Sequence, residues 1–244
     1  MEGLEEFVEE NGLHDGVIWS ADEIGEIAPT ISGYETNEIP GIETAIVFGN
    51  PLELGNQLDY IQGFDNEYGA SGTCGLTSIS NICKIHGMDV QEPEVVEYAM
   101  ENDLCDKVEP GVLGGGITTI QAIKILEHYG IASHCEMADV ATPERIAEAI
   151  EGGHGVIMGV NSGVLQDRDW KVYNEEGEIG VTHYVTVTGT VRDAETGELK
   201  GFYICDSSSA RTDGGAIYTS LDEIEESYSK VYGGHVVMTN ASIR

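Results

Sequence analysis

Two alternating runs late in the chain constrain its fold most. Residues 181–191, VTHYVTVTGTV, and residues 201–206, GFYICD, carry the period-2 pattern of β-strands. The polar segment 192–200 between them contains Thr196-Gly197, the turn signal of a longer-loop hairpin. The midpoint of His183 and Asp206 falls inside this loop, so an antiparallel hairpin sets the two residues roughly opposite or diagonal to each other, with a bulge free to slip the register by a residue or two. His183 shares its face with Val181, Val185 and Val187, and Asp206 shares its face with Phe202 and Ile204. An imidazole and a carboxylate among such neighbours each cost roughly 1–3 kcal/mol if left unpaired, and pairing them removes most of that cost.

A cysteine upstream gives the pair a use. In residues 71–78, SGTCGLTS, a turn of small residues delivers Cys74 to the start of a helix. Leu76, Ile79, Ile82 and Cys83 recur at helical spacing on one side, and Gly87 follows as a stop. Cys83 belongs to the apolar stripe, while Cys74 points elsewhere. Unpaired N–H groups and the positive end of the macrodipole at a helix start favour thiolate over thiol. A helix-starting cysteine, a strand histidine and a strand-ending aspartate together point to a Cys-His-Asp triad.

The segments SGTCGLTSISNICKIHG, THYVTVTGTV and GFYICDSSS resemble the three catalytic blocks of papain-like cysteine peptidases. The resemblance is specifically to the bacterial branch related to double-glycine leader peptidases and papain-like interbacterial toxins, and it spans residues 62–240. It implies an α+β, papain-like fold in which a helical subdomain carrying the nucleophile packs against an antiparallel sheet carrying His and Asp. By this resemblance Cys74 is the nucleophile, His183 the general base and acid, and Asp206 the residue that orients the imidazole. The family places a glutamine about six residues before the nucleophile to help stabilise the oxyanion, and Tyr68 stands there instead. Gln62 is the preferred donor, reached through a longer Gly-rich loop, with Asn66 as the alternative. Removing such a donor typically costs a hundredfold or more in rate.

The rest of the chain reads as scaffold. Thr118 and Gln121 match a capping box after Gly114-Gly115-Gly116, a glycine run without the Lys and Ser/Thr of a phosphate loop. Thr142-Pro143 caps a helix through Ile150, and a strand follows over 156–160. Ser220 and Glu223 open a helix ending near Gly233, and a strand follows over 236–239.

Charge divides the chain. Its 11 basic and 44 acidic residues give a net charge of −33, which argues against nucleic acid or an anionic membrane as partner. Such a surface serves solubility or salt adaptation, or else a basic partner. No Lys or Arg precedes Lys84, whereas 16 acidic residues do. Residues 1–55 therefore read as an acidic extension or linker, with one helix candidate around Leu4, Phe7 and Val8, and residues 56–244 as the peptidase domain. Neither a signal peptide nor a membrane span is evident. Five scattered cysteines suggest no disulfide framework and fit a reducing compartment; no cofactor or metal is expected, and His134-Cys135 alone makes no zinc site.

The expected activity is hydrolysis of a peptide bond through a thioester. A glutamine deamidase or transglutaminase is the alternative within the fold, and a catalytically silent binding module the alternative outside enzymology. The related bacterial domains either trim leaders after a double glycine or act as toxic parts of exported proteins. The charge-biased first 55 residues resemble a joining segment of a delivery polypeptide. The resemblance thus implies a toxin effector that cuts protein or peptide substrates at small-residue, Gly-Gly-like sites in a bacterial cytoplasm after export by a dedicated secretion system. A producer-made inhibitory or immunity protein is the implied partner.

Overall fold

The computed structural model describes residues 31–49, 51, 58–59, 61–63, 65–166, 179–208 and 216–243. Their centre is an eight-stranded sheet whose pairings are all antiparallel. Its strands are β1 (Gly33–Thr36), β2 (Ala45–Phe48), β3 (Ser133–Met137), β4 (Val156–Val160), β5 (His183–Asp193), β6 (Leu199–Cys205), β7 (Ile217–Ser220) and β8 (His235–Thr239). The long β5 organises the sheet. One edge pairs β4 along its first half and β2 along its second, and the other edge pairs β6, which continues to β7.

Helices cover both faces. In β4, β5, β6 and β8, Val156, Met158, Val185, Val187, Phe202, Ile204, Val236 and Met238 pack on one side with Ile146 and Ile150 of helix α4 (Pro143–Glu151). Ile157, Tyr184, Cys205 and Val237 pack on the other with helices α1 (Cys74–Ile85), α2 (Glu92–Glu101) and α3 (Thr119–His128). Successive strand residues thus feed opposite cores. Each fully buried aliphatic or aromatic side chain contributes about 1.5–3 kcal/mol. This is the expected α+β arrangement, with Cys74 on the helical part and His183 and Asp206 on an antiparallel sheet.

Two-sided cover changes the meaning of the alternation in β5. Its threonines do not face solvent: Thr186, Thr188 and Thr190 are buried. A register shift between Val187 and Gly189 rotates the strand, after which the Thr190 hydroxyl donates to Glu151 Oε1 of α4 at 2.9 Å.

Helix α1 departs from simple amphipathicity for a related reason. Its stripe of Leu76, Ile79, Ile82 and Cys83 is buried as expected, but so are Thr77, Ser80 and Asn81. The Asp59 carboxylate and two backbone carbonyls supply what those polar groups would lose on leaving water. Ser80 Oγ donates to Asp59 Oδ2 at 2.7 Å, Asn81 Nδ2 donates to the Asp59 backbone carbonyl at 2.9 Å, and Thr77 Oγ1 donates to the Thr73 carbonyl at 2.9 Å. Gly87, at φ +79, ends the helix in a conformation that a side chain would oppose.

Thr118 and Gln121 form the capping box of α3, and Ser220 and Glu223 that of helix α6 (Leu221–Ile224), which runs on as a π-helix over Glu225–Ser229. Residues 33–36 and 45–48, within the segment 1–55 read as an acidic extension or linker, form two strands of the sheet. Ala45 pairs with Asp193 and Phe48 with Thr190, and Ala45 and Val47 are fully buried. Strands of four residues are too short to show a period amid frequent Gly and Pro. The helix candidate around Leu4 lies outside the described residues.

Candidate active site

Cys74 is the first residue of α1, where first-turn N–H groups have no intrahelical acceptor, and the first turn itself contains no acidic residue. Next to it, Gly75 is required by packing. A Cβ there would lie 2.5 Å from Ile117 Cγ1 and 3.2 Å from Tyr184 Cδ2. Backbone contacts fix the approach to the helix: Ser71 N donates to Leu113 O and Gly72 N to Gly114 O, each at 2.9 Å. Glu92, 2% exposed, accepts from the hydroxyl of Thr73 and from Gly63 N at 2.8 Å, and so ties the turn before Cys74 to the loop carrying Gln62.

His183 opens β5, and Asp206 directly follows β6. The observed register pairs Thr186 with Cys205 and Val187 with Ile204, leaving His183 and Asp206 diagonal. His183 Nε2 donates to Asp206 Oδ1 at 2.8 Å, with both residues 4% exposed. The Cys74 thiol is within hydrogen-bonding reach of the His183 side chain. Because Nε2 is spent on Asp206, Nδ1 is the nitrogen left for sulfur.

The electrostatics follow from this arrangement. Burial pushes the Cys74 thiol up, but the hydrogen bond and charge of His183, with the N–H groups of Tyr184 and Gly75, outweigh it and bring the thiol below its ordinary value. Burial works against the His183 imidazolium, yet hydrogen bonds to Asp206 and Cys74 raise His183 to about 9. Burial likewise opposes the Asp206 carboxylate, and His183, Gln166 and the Ser208 amide lower it to about 2. Burial drives the other cysteines the opposite way: Cys83, Cys135 and Cys205 to about 12 and Cys105 to about 11. A thiolate facing an imidazolium is the ground state these shifts favour.

Gln62 lies between the two halves of this arrangement. Its side-chain amide donates to Ser71 O at 2.7 Å, its backbone N–H donates to Ser207 O at 3.0 Å, and its Oε1 accepts from Ser207 Oγ at 3.3 Å. Asn66 instead closes its own turn, with Oδ1 accepting from Ala70 N and Nδ2 donating to Ala70 O. Tyr68 is 40% exposed.

Gln166 and Ser208, both bonded to Asp206, were not marked by the sequence pattern. Gln166 is 40 positions from its partner, and nothing in its local sequence announces the contact. Ser208, two residues on, was within reach of an Asx-turn reading of Asp-Ser-Ser. Among the described residues, no group of three or more His, Cys, Asp or Glu side chains converges as a metal site, and no helix is long and apolar enough to cross a membrane.

No family model and no curated protein matches the chain. Among solved structures it is similar to a double glycine motif protease from an AMS/PCAT transporter in complex with the leader peptide. The identity is 15% over 75% of this chain and 92% of that one, with a TM-score of 0.44. It is also similar to SERA5E from Plasmodium falciparum, at 13% identity over 78% of this chain and 94% of that one, with a TM-score of 0.45.

Proposed function

We propose that the chain is a cysteine peptidase in which Cys74, His183 and Asp206 form the triad. One observation carries the reading: a helix-starting thiol sits against one nitrogen of a buried histidine whose other nitrogen holds a buried aspartate. The Cys74 thiolate attacks the scissile carbonyl carbon, forming a C–S bond while the carbonyl π pair moves onto oxygen. The donors for that oxyanion in this reading are the N–H groups at the start of α1 and the Gln62 amide proton not given to Ser71 O. The imidazolium of His183 gives its Nδ1 proton to the leaving nitrogen as the C–N bond breaks, leaving a thioester and neutral imidazole. His183 then takes a proton from water, hydroxide attacks the thioester, and the second tetrahedral intermediate expels Cys74 as thiolate. Asp206 stays ionised and fixes the ring.

Small-residue, Gly-Gly-like cleavage sites are the substrate class that the resemblance of the three catalytic blocks implies. N-terminal proteomics of cells expressing wild type or Cys74→Ala tests the activity. New N-termini confined to wild type are expected. Deamidated or cross-linked glutamines in their place would transfer the chain to the alternative chemistry, and no Cys74-dependent change would make it a binding module. Growth decides between leader trimming and attack on a neighbouring cell, since a toxin arrests cells expressing wild type and spares those expressing Cys74→Ala.

A further inference from the structure

Asp206 is bonded through both carboxylate oxygens, and the two are held differently. Oδ1 accepts from His183 Nε2 at 2.8 Å and from the backbone N–H and the hydroxyl of Ser208, each at 2.9 Å. Oδ2 accepts from Gln166 Nε2 at 2.8 Å, and the same nitrogen donates to Ser208 Oγ at 2.8 Å. The donors match the protons available. The two amide protons of Gln166 go to Asp206 and Ser208, and the single hydroxyl proton of Ser208 goes to Asp206. Leu165, Ile204, Ile217 and Thr219 line the cavity on this side of Asp206, a setting in which an unpaired carboxylate oxygen would be costly.

Gln166 is itself held from the strand that carries His183. It follows the single helical turn α5 (Ser162–Leu165), and its N–H donates to Ser162 O at 3.0 Å. Ser162 N in turn donates to Thr182 Oγ1 at 3.1 Å, one residue before His183. Asn161 caps the turn through Val164 N at 3.1 Å and reaches Gly180 O at 2.7 Å.

We propose that Gln166 is a positioning residue for the triad, one that engages Oδ2 of Asp206 and thereby holds Oδ1 toward His183. The role rests on the peptidase reading of Cys74, His183 and Asp206, and it acts through Asp206 alone. Without the Gln166 amide the carboxylate can turn about its last bond, the Asp206–His183 bond loosens, and the imidazolium that keeps Cys74 ionised is held less firmly. Among the described residues, the titratable groups around this assembly are Cys74 and His183 on one side, Glu223 lining the same cavity, and Tyr184 and Cys205 alongside. Glu223 Oε2 accepts from the N–H and hydroxyl of Ser220, each at 2.8 Å. Burial first of all pushes both Tyr184 and Cys205 up to about 12, so they stay neutral over the working range.

The test is the pH dependence of Cys74 alkylation by iodoacetamide, which needs no substrate. It is read by peptide mass mapping in wild type, Gln166→Leu, Gln166→Met and Ser208→Ala, with thermal melting as the check on folding. The two apolar variants keep the bulk of Gln166 and remove both donors. The acid midpoint of the rate curve should move up by about one pH unit, a tenfold slowing on that limb, and Ser208→Ala should move it less in the same direction. Turnover of a peptide substrate should lose kcat with KM unchanged. A merely structural role would lower the melting temperature and leave the midpoint in place, and that result in any folded Gln166 variant overturns the proposal. If wild-type Cys74 reacts no faster than the other cysteines, the peptidase reading itself has failed, and Gln166 falls with it.

Discussion

Iodoacetamide at pH 6 should single out Cys74 among five cysteines. At that pH a thiol near 12, as at Cys83, Cys135 and Cys205, is ionised to about one part in 10⁶, while one at the ordinary value of 9.0 is ionised to about one part in 10³. Cys74 lies below 9.0, so its thiolate fraction exceeds theirs by about 10³ or more. A thiolate of lower basicity is a weaker nucleophile, and with a Brønsted coefficient of about 0.4–0.5 three units give back roughly 15- to 30-fold. The net preference is at least about thirtyfold over those three and, by the same reasoning, about tenfold over Cys105, near 11. Burial of Cys83, Cys105 and Cys205 widens the gap. Cys135 is the sharper comparison, because it is half-buried like Cys74 but faces no imidazole. A time course of peptide mapping reads all five rates in one sample, and His183→Ala should bring Cys74 down toward the rest. Equal labelling, or Cys135 labelled first, would refute the ion-pair reasoning.

Substitutions within the triad should rank unequally. Cys74→Ala and His183→Ala should abolish peptide turnover, whereas Asp206→Asn should leave measurable kcat, because an amide still orients the ring in part; equal loss in all three would contradict the roles given. Stability should carry a linkage signature in urea titrations. His183, raised from 6.5 to about 9, contributes stability that is complete below 6.5 and lost as pH rises through 9. Cys74, lowered from 9.0, contributes stability present above 9.0 and lost as pH falls through its depressed value. The two slopes oppose each other from the depressed Cys74 value up to 9, so the wild-type midpoint should vary less there than that of Cys74→Ala, which lacks the rising thiolate slope and keeps only the His183 contribution that Asp206 supports. Parallel curves would count against the pairing. Gly75→Ala drives a Cβ against Ile117 and Tyr184 and should destabilise by about 1–3 kcal/mol; a neutral effect in the same titration would show that this packing is loose.

How much of this was legible in the sequence depended on whether partners were near in the chain. Cys74 was readable as the opening of α1 because the spacing of Leu76, Ile79, Ile82 and Cys83 and the stop at Gly87 are local signals. The diagonal pairing of His183 with Asp206 followed from one hairpin and its loop, the offset coming from a turn that pairs Arg192 with Leu199 and so lies later than the midpoint of His183 and Asp206. The buried polar side of α1 was not legible, since Asp59, which satisfies Ser80 and Asn81, comes from a separate segment. The strands at 33–36 and 45–48 are too short to show a period, and they are held by register with β5 rather than by pattern. Gln62 follows from the resemblance alone, because its position between Ser71 and Ser207 depends on tertiary contacts. Gln166 carries no local mark at all, because its contact with Asp206 exists only once β4, β5 and β6 have assembled.

The central claim is that Cys74 carries the substrate acyl group during peptide hydrolysis. Intact-protein mass spectrometry of a reaction quenched in acid within a single turnover tests it directly, using a peptide that contains a Gly-Gly bond and whose new N-termini have been verified. Wild type should gain the mass of the N-terminal fragment on the peptide spanning Cys74, hydroxylamine should remove it, and Asp206→Asn should accumulate it for longer. Cleavage with no thioester-linked fragment, or with the fragment on another residue, would contradict the account.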